Sequence, residues 1–102
     1  MGTVLEVQSL PAPLDYQPTK AMPRFSMVVD SRAAVTVMVC NNALDDAPAW
    51  EDATADYTAN RPHTFTNKAK TALQWAVSVK LKIEANDSTG EISVSAVGMG
   101  VM

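Results

Sequence analysis

The chain has 102 residues, a formal net charge of -3 and a hydrophobic content of 47%. This length fits one domain, and the apolar content suits a folded core rather than a disordered chain. The eight Lys and Arg residues are scattered, which excludes the clustered basic surface of a general nucleic-acid-binding protein.

The single cysteine, Cys40, excludes a disulfide framework within the chain and a four-cysteine zinc site. We expect Cys40 to be a small residue on a strand, with an interchain disulfide as the alternative. The first residues carry no basic region followed by a long apolar stretch, so we expect no secretory signal. No apolar run approaches the roughly 20 residues of a membrane-spanning helix.

The N-terminal part predicts a short strand over residues 3–8, followed by a proline-rich segment over residues 10–23. This segment contains four of the six prolines, and proline resists both helix and central strand because it lacks an N–H. We interpret it as an extended arm with apolar anchors; an ordinary loop across the domain's own surface is the alternative. The expected organisation is a strand and arm over residues 1–24, followed by a β-sandwich domain over residues 25–102. The candidate partner-binding residues are Leu10, Pro11, Pro13, Leu14, Tyr16, Pro18, Met22 and Trp50.

Two strands follow, over residues 25–29 and 34–40, with Asp30-Ser31-Arg32 as their link. In the second of them one face carries valines, whereas the other is less polar than an exposed face and is expected to be covered. Residues 49–66 are ambiguous, because Trp50 and Ala53 fit helical spacing while Trp50 and Asp52 also fit a strand. We favour a short strand near Trp50, a turn at residues 60–62 and a strand at residues 63–66.

The clearest pattern runs from Trp75 to Ala85, where apolar and polar residues alternate. This period of two predicts a strand with one buried face. Residues 86–90 favour a turn, and alternation resumes over residues 92–96. The two runs therefore predict a β-hairpin.

No catalytic constellation follows from residue spacing. His63 and Cys40 are the candidates for a small enzyme, but no nucleophile motif surrounds Cys40 or any serine. The acidic residues lack the spacing of a calcium loop, so we expect the first acidic pair to end a turn and Glu51-Asp52 to face water. The acidic residues are Asp45, Asp46, Glu51, Asp52 and Asp56. We expect no metal or cofactor, although an exposed Trp50 would suit stacking on a sugar ring.

Three segments resemble small β-sandwich proteins of tailed bacteriophages. Residues 35–54 contain a strand, an Asn-Asn-Ala-rich loop and a Trp-Glu-Asp-x-Thr segment; residues 65–79 and 89–94 resemble the following strand and the closing hairpin. The resemblance implies a non-enzymatic component of the phage particle, such as a capsid decoration protein or an appendage base. It assigns no binding residues.

Together these observations predict an all-β, single antiparallel β-sandwich of about six or seven strands, jelly-roll or immunoglobulin-like. The expected function is a non-enzymatic virion structural protein that decorates and stabilises the capsid by binding the major capsid protein or another virion protein. A carbohydrate-binding or adhesion subunit, and a tail or connector component, are the alternatives. We expect synthesis in the host cytoplasm, residence in the virion, and a homo-oligomer, with a trimer as one form. A glycan remains a possible ligand; nucleic acid and membrane are not expected partners.

Overall fold

A computed structural model describes residues 4–29, 33–84 and 92–102, giving only the backbone for residues 27–29 and 92–97. The structure is all-β, with one short helix. Its elements are β1 (Val4–Gln8), β2 (Ala12–Leu14), β3 (Lys20–Val29), β4 (Ala34–Cys40), β5 (Glu51–Asp52), α1 (Thr54–Thr58), β6 (His63–Thr64), β7 (Trp75–Glu84) and β8 (Ile92–Val101). The predicted link at residues 30–32 and the turn at residues 86–90 lie outside the described residues.

Two antiparallel sheets form the predicted β-sandwich. The first has the order β1-β7-β4-β5, with β2 also pairing β7, and the second has the order β6-β3-β8. The described residues form eight strands, against the six or seven expected, because residues 12–14 add a short strand within the proline-rich segment.

The buried face of β7 follows the alternation in its sequence. Val77, Val79, Leu81 and Ile83 are each 3% exposed or less, whereas Trp75 is half-buried. Burying an aliphatic side chain of this size contributes about 1.5–3 kcal/mol, so this strand is a main source of stability. The prediction of a strand with one apolar buried face is confirmed.

Across the interior, β7 meets residues from both sheets. The core cluster consists of Ala21, Val37, Val39, Ala53, Phe65, Val79, Leu81 and Ile83. The opposite face of the first sheet is covered at one end, because Cys40, Ala76 and Ser78 are each 0% exposed. The expectation that the less polar face of β4 is covered is therefore confirmed at Cys40.

The predicted hairpin between residues 75–85 and 92–96 is wrong. β7 already pairs β1 and β2 along one edge and β4 along the other, so neither edge is free for β8. The chain crosses to the second sheet instead, where β8 pairs β3 antiparallel from Ala21↔Val101 to Val29↔Ile92. Alternation specifies which face of a strand is buried, but it does not specify which strand lies beside it.

Residues 49–66 combine both patterns that their sequence suggests. Residues 51–52 pair β4 as a strand, and residues 54–58 then form one helical turn. The final predicted strand is shorter than expected, because only His63 and Thr64 pair with β3. Asn60 has a φ of 56°, a left-handed conformation that asparagine tolerates better than most residues, and it allows the chain to leave α1.

The proline-rich segment lies on the domain's own sheets. Residues 12–14 pair β7, and Lys20 and Ala21 pair β6 at the start of β3. The boundary expected between residues 24 and 25 falls inside β3. These contacts match the surface-loop alternative more closely than a free arm.

Candidate functional site

A network of buried polar side chains holds the loops at one end of the sandwich. Asn41 is 0% exposed, and its amide donates to the carbonyl oxygens of Pro18 (3.3 Å) and Asn67 (2.9 Å). Asn67 in turn donates from Nδ2 to Asn41 Oδ1 at 2.8 Å. One buried amide therefore joins three separate segments of the chain.

Asp45 fixes the loop that precedes β7. Its carboxylate accepts hydrogen bonds from the backbone N–H groups of Thr71 (2.8 Å) and Ala72 (2.7 Å) and from Asn42 Nδ2 (3.0 Å). The hydrogen bond from Thr71 lowers the pKa of Asp45 most, and the bonds from Ala72 and Asn42 lower it further. Burial raises the pKa by less than the Thr71 bond lowers it, so the pKa of Asp45 lies below its usual value. Asp45 does end a turn, as expected, and it also ties two loops together.

Glu51, His63 and Asp56 form the second part of the network. His63 Nε2 lies 2.9 Å from Glu51 Oε1, and His63 Nδ1 lies 2.8 Å from Asp56 Oδ2. Glu51 also accepts from the backbone N–H groups of Thr66 and Asn67 at 3.0 and 2.9 Å. The expectation that Glu51 faces water is wrong, because its side chain is only 13% exposed; Asp52 beside it is exposed as expected.

The pKa values of both carboxyl groups are lowered. Burial alone would raise the pKa of Glu51, but the Thr66, His63 and Asn67 hydrogen bonds outweigh it. The bond from Arg61, followed by that from His63, lowers the pKa of Asp56. Both ring nitrogens of His63 are therefore held within hydrogen-bond distance of a carboxylate oxygen. In this arrangement neither ring nitrogen is available to take a proton from a substrate.

His63 begins the strand predicted over residues 63–66. It is 8% exposed, belongs to β6 and makes an edge-to-face ring contact with Phe65 at 5.6 Å. Cys40, the other residue of the possible enzyme, is buried on β4, and burial raises the pKa of its thiol to about 11. Its backbone hydrogen-bond partners are Ser78 and Asn42, and none of the contacts described for either residue joins Cys40 to His63.

The candidate partner-binding residues divide into two groups. Leu10 is 89% exposed, Tyr16 is 45% exposed, and Pro13 is also exposed. The remaining residues are partly or fully enclosed: Pro11, Leu14, Pro18, Met22 and Trp50. Pro18 is the most enclosed, and its carbonyl oxygen accepts the Asn41 bond.

Trp50 is half-buried, and the ammonium group of Lys80 lies 4.1 Å from the centroid of its indole ring. A lysine at this distance makes a cation–π contact and occupies one face of the ring. This geometry gives Trp50 a structural partner on the outer face of the first sheet.

Exposed apolar side chains lie on the loops that the polar network fixes. Leu73 is 101% exposed and Leu44 is 46% exposed, and each adjoins a residue in the Asp45 contacts. A groove nearby is lined by Leu14, Leu73 and Trp75 together with Asp15, Lys70 and Gln74, and Tyr16 follows Asp15 in the chain. We call this the apolar loop surface, which consists of Leu14, Tyr16, Leu44, Leu73 and Trp75.

Sequence reasoning missed the buried network because its members are polar residue types that are common in turns and on surfaces. The Asn-Asn pair and Asp45 follow the apolar strand β4 and are types that favour turns. The sequence feature that indicates burial is the pair of asparagines directly after a valine-rich strand, because their side-chain amides can bond backbone groups that have no strand partner there. No buried side-chain nitrogen or oxygen in the described parts of the chain lacks a hydrogen-bond partner.

Comparison with family models, curated proteins and solved structures finds no match to this chain. In the described part of the chain, no group of three or more His, Cys, Asp or Glu side chains is arranged to hold a metal ion. Among the same residues, no helix is both long enough and apolar enough to cross a membrane.

Proposed function

We propose that this chain is a non-enzymatic structural protein of a tailed-phage particle, which binds the outer shell as a decoration protein. The observation that carries the proposal is the apolar loop surface, where exposed leucines lie on loops fixed by buried hydrogen bonds. The resemblance of residues 35–54 to phage β-sandwich proteins supports a place in a phage particle.

The rigidity of these loops supports a binding role. Association has an entropic cost when side chains and loops become ordered, and a surface that is already fixed avoids much of it. The loop carrying Leu73 is held from both sides, because Asp45 binds the N–H of Ala72 and Lys70 Nζ donates to the Leu73 carbonyl oxygen at 2.8 Å. Lys70 also lies 5.7 Å from the Trp75 ring centroid.

The exposed leucines are the side chains whose burial by a partner would contribute most binding free energy. Burying one leucine is worth about 1.5–3 kcal/mol, and each 1.4 kcal/mol changes affinity about tenfold. Many identical subunits bound at repeated sites on a shell would stabilise it by mass action, since they bind the assembled state.

The first experiment locates the protein in particles of the phage whose genome encodes it. Purified protein is mixed with particles lacking it, bound protein is counted, and its position is imaged by electron microscopy. We expect many copies at regular positions on the head. Density confined to the tail or connector, or no association with particles, would contradict the decoration role.

A matched pair of variants then tests the surface. Leu73→Ser removes a fully exposed side chain, so the fold is retained, and we expect shell binding to weaken at least about tenfold. Ala59→Ser, at an exposed position after α1, serves as the control and should bind as the parent does. Equal binding by both variants would place the contact elsewhere on the molecule.

A further inference from the structure

One long strand edge is left without a partner in the described structure. Lys20 and Met102 exchange two backbone hydrogen bonds, from Lys20 N to Met102 O (3.3 Å) and from Met102 N to Lys20 O (3.0 Å). Antiparallel ladders alternate between hydrogen-bonded and non-hydrogen-bonded pairs. Gly100 and Gly98 therefore direct their backbone groups toward β3.

The intervening residues of β8 direct theirs away from it. Val97, Met99 and Val101 occupy the non-hydrogen-bonded positions opposite Phe25, Pro23 and Ala21. Their N–H and C=O groups point to the side of β8 where the described residues provide no strand. The position of Pro23 agrees with this phase, because its missing N–H falls where β3 makes no bond to β8.

The other sheet edges have the features that prevent strand addition. β5 and β6 have two residues each, and the outer strand along β7 is interrupted at Ser9–Pro11, where register shifts by one residue between Gln8↔Lys80 and Ala12↔Val77. Short strands, prolines, charges and bulges are the common protections of exposed edges. β8 has ten residues with no charge and no proline, and its described register shift, between the pairs Ser26↔Ala96 and Met27↔Val94, lies before residues 97–101.

An open apolar groove of about 370 Å³ lies beside the C-terminal half of β8. It contains no charged residue, and Leu10, which is 89% exposed, lies at its margin. Its lining consists of Ser9, Leu10, Ala12, Leu14, Val77, Val79, Gly98, Met99 and Val101. A strand added to β8 would cover this groove as well as the free backbone groups.

We infer that the exposed edge of β8 is an interface between two copies of this chain, which pair antiparallel through their β8 strands. An uncharged edge beside an uncharged groove suits an uncharged strand as its partner. Among the described strands, β8 itself is the longest that contains neither a charged residue nor a proline. Pairing centred on Met99 brings the outward groups of Val97 and Val101 into register, giving about six backbone hydrogen bonds. Such a contact is isologous and closes as a dimer rather than the trimer suggested above.

Amide hydrogen exchange followed by NMR tests the interface in the unaltered protein. Gly98 and Gly100, whose N–H groups bond to β3, should be protected at every concentration. Val97, Met99 and Val101 should become at least tenfold more protected as concentration rises, while the mass doubles from 10.9 kDa. A monomeric mass at millimolar concentration, or rapid exchange of the three outward amides in an oligomer, would overturn the inference.

A variant pair distinguishes this interface from shell binding. Val97→Pro removes one outward N–H without removing a bond to β3, and it should raise the dissociation constant of the dimer at least tenfold. Ala59→Ser, at an exposed position after α1 and outside β8 and its groove, is the control. If Val97→Pro is monomeric and still binds shells, the β8 interface is supported and the proposed function is unaffected. If the dimer is unchanged, the interface lies elsewhere on the molecule. If Val97→Pro does not fold, amide exchange alone decides.

Discussion

Replacing Glu51 with glutamine tests whether the buried network stabilises the fold. The Glu51 carboxylate accepts from Thr66 N, Asn67 N and His63 Nε2, and its side chain is 13% exposed. Glutamine offers only one acceptor oxygen, and its amide group faces donors in place of the second. At least one enclosed donor loses its acceptor, which costs about 1–3 kcal/mol, and the bond to His63 loses its ionic character.

Together these losses predict that Glu51→Gln lowers the free energy of unfolding by about 2–4 kcal/mol. This is a large part of the roughly 5–15 kcal/mol available to a small domain, and it corresponds to a fall in Tm of at least about 8 °C. Urea unfolding, followed by the fluorescence of Trp50 and Trp75 and by circular dichroism, measures the change. The midpoint should fall while the slope stays constant.

Asp52→Asn is the matched control for this substitution. Asp52 adjoins Glu51 but is exposed, and its Oδ1 accepts from Thr54 N at 2.9 Å. Asparagine keeps that acceptor, so the expected change is below about 1 kcal/mol. If Glu51→Gln unfolded within about 0.5 kcal/mol of the parent, the carboxylate would not be holding these loops together.

Three further predictions follow from the same contacts. The lowered pKa values of Glu51, Asp56 and Asp45 contribute stability that is present above their unfolded pKa values of about 4 and is lost as pH falls through the folded values. The urea concentration at the unfolding midpoint should therefore decrease when the pH is lowered below about 4, and a midpoint that stays constant from pH 6 to pH 2 would contradict this. Cys40, with its thiol pKa of about 11, should react with a disulfide reagent at neutral pH only as fast as the protein opens, and reaction at the rate of a free thiol would mean that the strand is not closed. Deleting residues 10–23 should unfold the domain, because the deletion removes β2 and the buried Ala21, and a cooperative unfolding transition in the shortened chain would show that these strands are dispensable.

The sequence predicted the strands well because their side-chain patterns are local. Alternation along β7 and β4 specifies a buried face without reference to any other part of the chain. The partner of β8 could not be predicted in the same way, since it depends on which edges of β7 are already occupied. A run from β1 to β2, interrupted at Ser9–Pro11, occupies one of those edges, and its pairing has no local signature.

The candidate site was less accessible to sequence reasoning than the fold. His63, Glu51 and Asp56 are separated by up to 12 residues and meet only because α1 and β6 fold over the end of the sheet. Their types are common on surfaces, so nothing in their spacing distinguishes a hydrogen-bonded, largely buried cluster from three solvated residues. The exposure of Leu73 was equally hidden, since a leucine two residues before a strand is normally part of a core.

The polar network and the apolar loop surface explain one another physically. Burying amides and carboxylates is costly unless every group is bonded, and the hydrogen bonds then hold the backbone in one arrangement. A small domain could close its end more simply with apolar side chains, which would leave no leucine exposed. Here the closure is polar, whereas Leu44 and Leu73 extend outward from the same loops. If this surface binds a partner, as proposed, the loops would lose little entropy on association, because they are already ordered.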